Sequence, residues 1–131
     1  MSEVVKGRSV DEKQTVLFVY PHGAAKSRMA AAFFNRVALE SWQATSAGVT
    51  PHDAVSLNAI RLLKDGDAEA LLDVPPPQPV AAVPSPNRIV AIDCDVPQAV
   101  RWNLQHQEFD APMREELRSR AEALAREVRG G

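Results

Sequence analysis

A chain of 131 residues and 14.3 kDa, 45% of them hydrophobic, fits one domain with its own core, since single domains commonly run to about 100–150 residues. A formal net charge of −2 and a pI near 5.9 exclude the basic balance that draws proteins to nucleic acid or an anionic membrane, so any anion site has to be local. The single cysteine, Cys94, rules out an internal disulfide and suits a reducing compartment.

Residues 1–14 are polar and aperiodic and are expected to form a tail before a single domain over 15–131. The opening run Met1–Arg8 is too polar for a signal peptide. No apolar run approaches the roughly 18–20 residues of a membrane span, so a cytoplasmic protein is expected. Thr15–Tyr20 is a continuous apolar run, as expected of a central parallel strand covered on both faces. Met29, Phe33 and Val37 then recur at helical spacing, predicting an amphipathic helix over 27–40. Trp42–Ser46 reads as a second strand, and Gly48 permits its sharp exit.

Pro51 suits the first turn of a further helix, with Val55, Ala59, Leu62 and Leu63 as its apolar stripe and Gly66 as its end. A short helical piece is expected over Ala68–Leu72. Residues 75–86 hold six of the ten prolines and predict an extended or turn-rich surface loop. Arg88–Ile92 is the third strand, Val100–Leu104 the fourth, and Leu117, Ala121, Leu124 and Val128 mark a closing helix over about 112–128. Strands alternating with helices imply an α/β domain, a parallel sheet with helices on both faces. In such sheets ligands bind beyond the carboxyl ends of the strands, where the Tyr20 loop, Gly48, Cys94 and the segment after Leu104 all fall.

The residues from Val16 to Met29 (Val-Leu-Phe-Val-Tyr-Pro-His-Gly-Ala-Ala-Lys-Ser-Arg-Met) place a strand, Tyr20, five loop residues, Lys26, Ser27 and a helix in that order. This order resembles the phosphate-binding loop of the low-molecular-weight protein tyrosine phosphatase superfamily, which includes arsenate reductases. There the loop runs from a nucleophilic Cys through five residues to an Arg and a Ser. Here Tyr20 stands at the Cys position and Lys26 at the Arg position. The likeness extends to Arg28–Asn35 at the start of the first helix, Ser46-Ala47-Gly48 with Pro51 at the second strand's exit, and Arg88–Cys94. Arg101-Trp102-Asn103-Leu104 is similar to the strand before the acid loop. The thiol-dependent arsenate reductase branch is the nearest likeness, and it covers about residues 15–128. It implies a three-layer sandwich around a four-stranded parallel sheet.

The resemblance also implies which chemistry has changed. In the active family a thiolate attacks, the arginine grips the equatorial oxygens, and an aspartic acid protonates the leaving group. A phenol, which ordinarily titrates at about 10, is a poor nucleophile at neutral pH. Lysine keeps the charge of arginine and loses its planar fork. The family's Asp-Pro falls on His106-Gln107, with Asp110-Ala111-Pro112 as a looser substitute, and the thiol relay is reduced to Cys94.

Anion binding is what such a loop retains, because backbone N–H groups at a helix N-terminus hold phosphate-like anions without a particular side chain. His22, Gly23, Ala24, Ala25, Lys26 and Ser27 are the candidate anion-binding residues. Gly23 stands where the family uses a residue tolerant of left-handed geometry; Pro21 removes one donor, and Tyr20 is bulky enough to fill the cradle. His22, His106 and Asp110 are the candidate acid, base or nucleophile groups, each weighed against an ordinary loop residue. Cys94 is the candidate redox thiol, flanked by Asp93 and Asp95, whose charges would raise its pKa rather than activate it.

Three functions stand against one another. The first is a catalytically inactive homologue that binds a phosphate-like anion, a phosphorylated ligand or a protein partner in a regulatory role. The second is a phosphatase-like enzyme with an altered nucleophile and Lys26 stabilising charge. The third is a structural interaction subunit whose pocket Tyr20 plugs. No metal or other cofactor is expected, and neither nucleic acid nor membrane is an expected partner.

Overall fold

A computed structural model describes residues 14–21, 23, 25–38, 41–50, 56–72, 78–83 and 85–130, with side chains as far as Val128. The N-terminal tail, Pro51, Val55, His22, Ala24 and several prolines of the 75–86 segment lie outside the described residues.

Strand β1 (Gln14–Tyr20) is one of the sheet's two inner strands, pairing in parallel with β2 (Trp42–Gly48) on one side and β3 (Arg88–Ile92) on the other. The short β4 (Val100–Trp102) pairs in parallel with β3, giving the order β2-β1-β3-β4 in a four-stranded sheet. Val16 through Val19 have no exposed surface, which is why β1 reads as an unbroken apolar run rather than an alternation.

Among the described residues the α-helices are α1 (Lys26–Val37), α2 (Leu57–Leu63) and α3 (Ala111–Gly130). Helix α1 stops at Val37, short of the expected residue 40: Ala38 is extended, its N–H returning to the Phe34 carbonyl. Ser56 caps α2 by accepting from Asn58 N, and the carboxylate of Asp110 accepts from Met113 N to start α3. Strand β2 runs two residues beyond the expected Ser46, because Gly48 continues the register opposite Tyr20 and bonds the Gln78 carbonyl.

All three helices contribute to one apolar cluster. Phe33, Phe34 and Met29 of α1, Leu62 and Leu63 of α2, and Met113, Leu117 and Ala121 of α3 close over Val16, Phe18, Val90 and Ile92. Phe18 sits between the rings of Phe34 (6.1 Å) and Trp102 (5.5 Å), an aromatic centre whose truncation to alanine would cost about 3–5 kcal/mol. Asn35 fastens α1 to β2, its side chain both accepting from Ala44 N (2.8 Å) and donating to Ala44 O (3.1 Å).

The opposite face of the sheet shows Leu17, Val19 and Ala47. Among the described residues it is covered by Val80 and Val83, around the 3₁₀ turn Val80–Ala82, and by Val96 and Cys94, rather than by a helix. Part of the proline-rich segment is therefore packed, with Gln78 bonding Thr45 and Ser46 of β2. No helix among the described residues is long and apolar enough to cross a membrane.

Candidate functional site

At the carboxyl end of β1 the chain turns back on itself, Gly23 N donating to the Tyr20 carbonyl at 3.0 Å. Gly23 has φ +66°, and a Cβ there would lie 2.7 Å from Gly48 N and 2.8 Å from the Ala47 carbonyl carbon. Both the left-handed backbone and the close passage against β2 require glycine. Two further bonds hold the loop: Thr50 N to the Pro21 carbonyl (2.8 Å), and the buried Arg28 Nε to the Gly23 carbonyl (3.1 Å).

Helix α1 begins at the end of this loop. Ala25 supplies no side-chain cap, so the positive end of the helix faces the loop without a carboxylate or hydroxyl of its own at that position. Ser27, in the first turn, is wholly buried, and its Oγ has no hydrogen-bond partner among the described residues. A buried hydroxyl left unpaired carries a penalty of about 1–3 kcal/mol.

Lys26 is 1% exposed. Its ammonium donates to Asp93 Oδ2 at 3.1 Å and to Gln107 Oε1 at 3.4 Å. It also stands 5.2 Å from the centre of the Tyr20 ring and 5.7 Å from that of Phe109. A desolvated ammonium needs such compensation: one carboxylate, one amide oxygen and two ring faces share its charge.

Asp93, one residue past β3, takes φ +56°, a left-handed conformation that aspartate tolerates better than most residues. Its N–H donates to the Trp102 carbonyl, and its Oδ1 accepts from Leu104 N at 3.0 Å. Gln107 Nε2 in turn donates to the Leu104 carbonyl at 2.6 Å. The Lys26–Asp93 ion pair thus ties the start of α1 to the turn after β3, and hydrogen bonds from Lys26 to Gln107 and from Leu104 N to Asp93 bring in the loop after β4.

The remaining candidates are placed elsewhere. His106 is half exposed, and its Nδ1 faces Glu116 Oε1 of α3 at 3.0 Å. Asp110 spends its carboxylate on capping α3. In the loop after β4, the residue that hydrogen-bonds Lys26 is Gln107, an amide with no proton of the kind a general acid releases. Cys94 is half-buried, its thiol 3.7 Å from the Val19 carbonyl; burial pushes its pKa up, Asp93 and Asp95 add to the rise, and Arg101 opposes it. A raised pKa disfavours the reactive thiolate. No group of three or more His, Cys, Asp or Glu side chains among the described residues forms a metal-ligand set.

Glu116 is an anchor for the second loop. Its carboxylate accepts from the N–H groups of Gln105 and His106, from the His106 ring and from Arg120. Desolvation pushes its pKa up, but those four donors outweigh it and hold the group at about 2. Asp93, Phe109 and Glu116 were not singled out as site residues from sequence. For Asp93 a signal existed, an acidic residue directly after a strand at the sheet's ligand edge, whereas Glu116 is one charge among many on α3.

No family model and no curated protein matches the chain. Solved structures do. An arsenate reductase from Archaeoglobus fulgidus DSM 4304 superposes with a TM-score of 0.63 at 28% identity, over 88% of this chain and 99% of that one. An arsenate reductase in the phosphate binding state gives 0.70 at 16% identity, over 88% and 98%. A Cys-to-Ser mutant of the arginine phosphatase YwlE, with a phosphorylated active-site serine, gives 0.62 at 19% identity, over 88% and 96%.

Proposed function

We propose that this chain, which carries the fold of the low-molecular-weight protein tyrosine phosphatase superfamily, is a non-catalytic relative of its arsenate reductases and phosphatases. It binds a phosphate-like anion or phosphorylated ligand at residues 20–27 and acts in a regulatory role in the cytoplasm.

The observation that carries this reading is the buried Ser27 hydroxyl in the first turn of α1, without a partner among the described residues, in the same helical turn as the buried Lys26. A helix N-terminus, a hydroxyl without a partner and a local cation together favour an anion with several acceptor oxygens. The loss of catalysis rests on what surrounds that place. Tyr20 ends β1 where the family has its thiol, and Gln107 is the side chain from the second loop that reaches Lys26.

A titration with phosphate, sulfate and arsenate, following the backbone amides of Gly23 and residues 25–28, tests binding. An aryl phosphate assay tests turnover. Saturable shifts without turnover are the expected result; turnover abolished by Lys26→Ala would overturn the non-catalytic reading.

A second reading has its own observation. Lys26 is already paired with Asp93 and flanked by the Tyr20 and Phe109 rings, as in a subunit with a plugged pocket that uses the fold as an interaction surface. Absence of any shift at millimolar anion would favour it.

A further inference from the structure

We propose that Asp93 is a built-in counter-anion: its carboxylate holds the Lys26 charge in the free protein, and a bound phosphate-like ligand displaces it. The inference rests on the anion-binding reading and adds its regulation. The geometry that points to it is the division of labour between Asp93's two oxygens. Oδ2 meets Lys26 Nζ at 3.1 Å, while Oδ1 accepts from Leu104 N at 3.0 Å.

An oxyanion that reached Lys26 with Asp93 in place would set two negative groups against one buried ammonium. Like charges at such a separation in a water-poor site disfavour each other strongly. The ligand therefore competes with Asp93, and the outcome is felt at Leu104. Gln107 carries the same signal, since it touches Lys26 through its oxygen and the Leu104 carbonyl through its nitrogen. Occupancy of the first loop is thereby coupled to the Leu104–Phe109 segment. By reciprocity, anything that draws that segment away raises anion affinity at Lys26.

The test compares wild-type protein with Asp93→Asn, using inorganic phosphate as the probe and amide resonances as the readout. Asparagine suits the left-handed backbone at this position and keeps an oxygen for Leu104 N, so it removes the charge with little else. Asp93→Asn is expected to bind phosphate about tenfold tighter, a difference of the size expected when one opposing charge is withdrawn. In the wild type, the Leu104 amide and the Asp93 side-chain carboxyl carbon are expected to titrate with the same midpoint as the Ser27 amide.

Equal or weaker binding by Asp93→Asn overturns the counter-anion and leaves the binding reading standing. So does a wild-type titration in which Ser27 moves while Asp93 and Leu104 stay fixed, a result that does not depend on the variant folding. Failure of both proteins to bind phosphate overturns the binding reading and this inference with it. Binding by Asp93→Asn alone overturns the reading that the wild-type protein binds phosphate, and with it the displacement of Asp93 by ligand.

Discussion

The ammonium of Lys26 and the carboxylate of Asp93 lie 3.1 Å apart, although 67 residues separate them along the chain. The pair spans the carboxyl edge of the sheet, tying the start of α1 after the β1 loop to the turn after β3. Lys26→Met keeps the long apolar stem and leaves the partner carboxylate without its cation. A loss of about 2–3 kcal/mol is expected, below the roughly 3–5 typical of a fully buried pair because Asp93 keeps Leu104 N and some contact with solvent. Urea unfolding of the two proteins measures it.

Gly23→Ala tests the loop's shape. The new Cβ would fall 2.7 Å from Gly48 N at a backbone angle that favours glycine, and neither neighbour is a flexible side-chain end. Destabilisation of about 2–4 kcal/mol is expected, together with displacement of the Gly48 amide resonance. A neutral substitution would show that the turn relaxes freely.

Glu116 gives a pH dependence with a definite sign. Its carboxyl is held at about 2, below the ordinary 4.5, so the folded state binds its proton less readily than the unfolded chain. The stabilisation is fully present above pH 4.5 and is lost as pH falls towards 2. Allowing for solvent screening, it amounts to about 1–2 kcal/mol. Glu116→Gln is expected to flatten the stability–pH curve over that window and to loosen the amides of Gln105 and His106 at neutral pH.

Placing the superfamily's loop residues on this scaffold tests whether it supports phosphoryl chemistry. Tyr20→Cys with Lys26→Arg supplies a nucleophile and a bidentate grip but no carboxylic acid at Gln107, the residue after β4 that hydrogen-bonds position 26. Adding Gln107→Asp is expected to raise p-nitrophenyl phosphate turnover over the double variant by about 10²–10⁴-fold, the usual range for a general acid. An inactive triple variant would show that the loop no longer presents its amides to a phosphoryl group.

Much of the fold was legible because β1 and the three helices are patterned by burial: Val16–Val19 form one apolar run, and Leu117, Ala121, Leu124 and Val128 recur along α3. Gly23 was legible as a left-handed position, and the structure gives it φ +66°. The cover of the second sheet face was not, since Val80 and Val83 pack from a proline-rich segment with no period to read. Nor was the partner of Lys26: an ion pair across 67 positions depends on β3 lying beside β1, which no local pattern encodes. His106 and Asp110 were acid candidates by their place after Trp102 and Leu104, and the contacts they make with α3, His106 to Glu116 and Asp110 as its cap, have no local pattern to read.

The most direct test of the central claim is the phosphate titration itself, read at the amides of Ala25, Lys26, Ser27 and Arg28 beside an aryl phosphate turnover assay on the same sample. Saturable shifts centred on Ser27 with no turnover above the buffer rate are the result predicted. Unmoved amides at tens of millimolar phosphate, or turnover that disappears in Lys26→Ala, would contradict it.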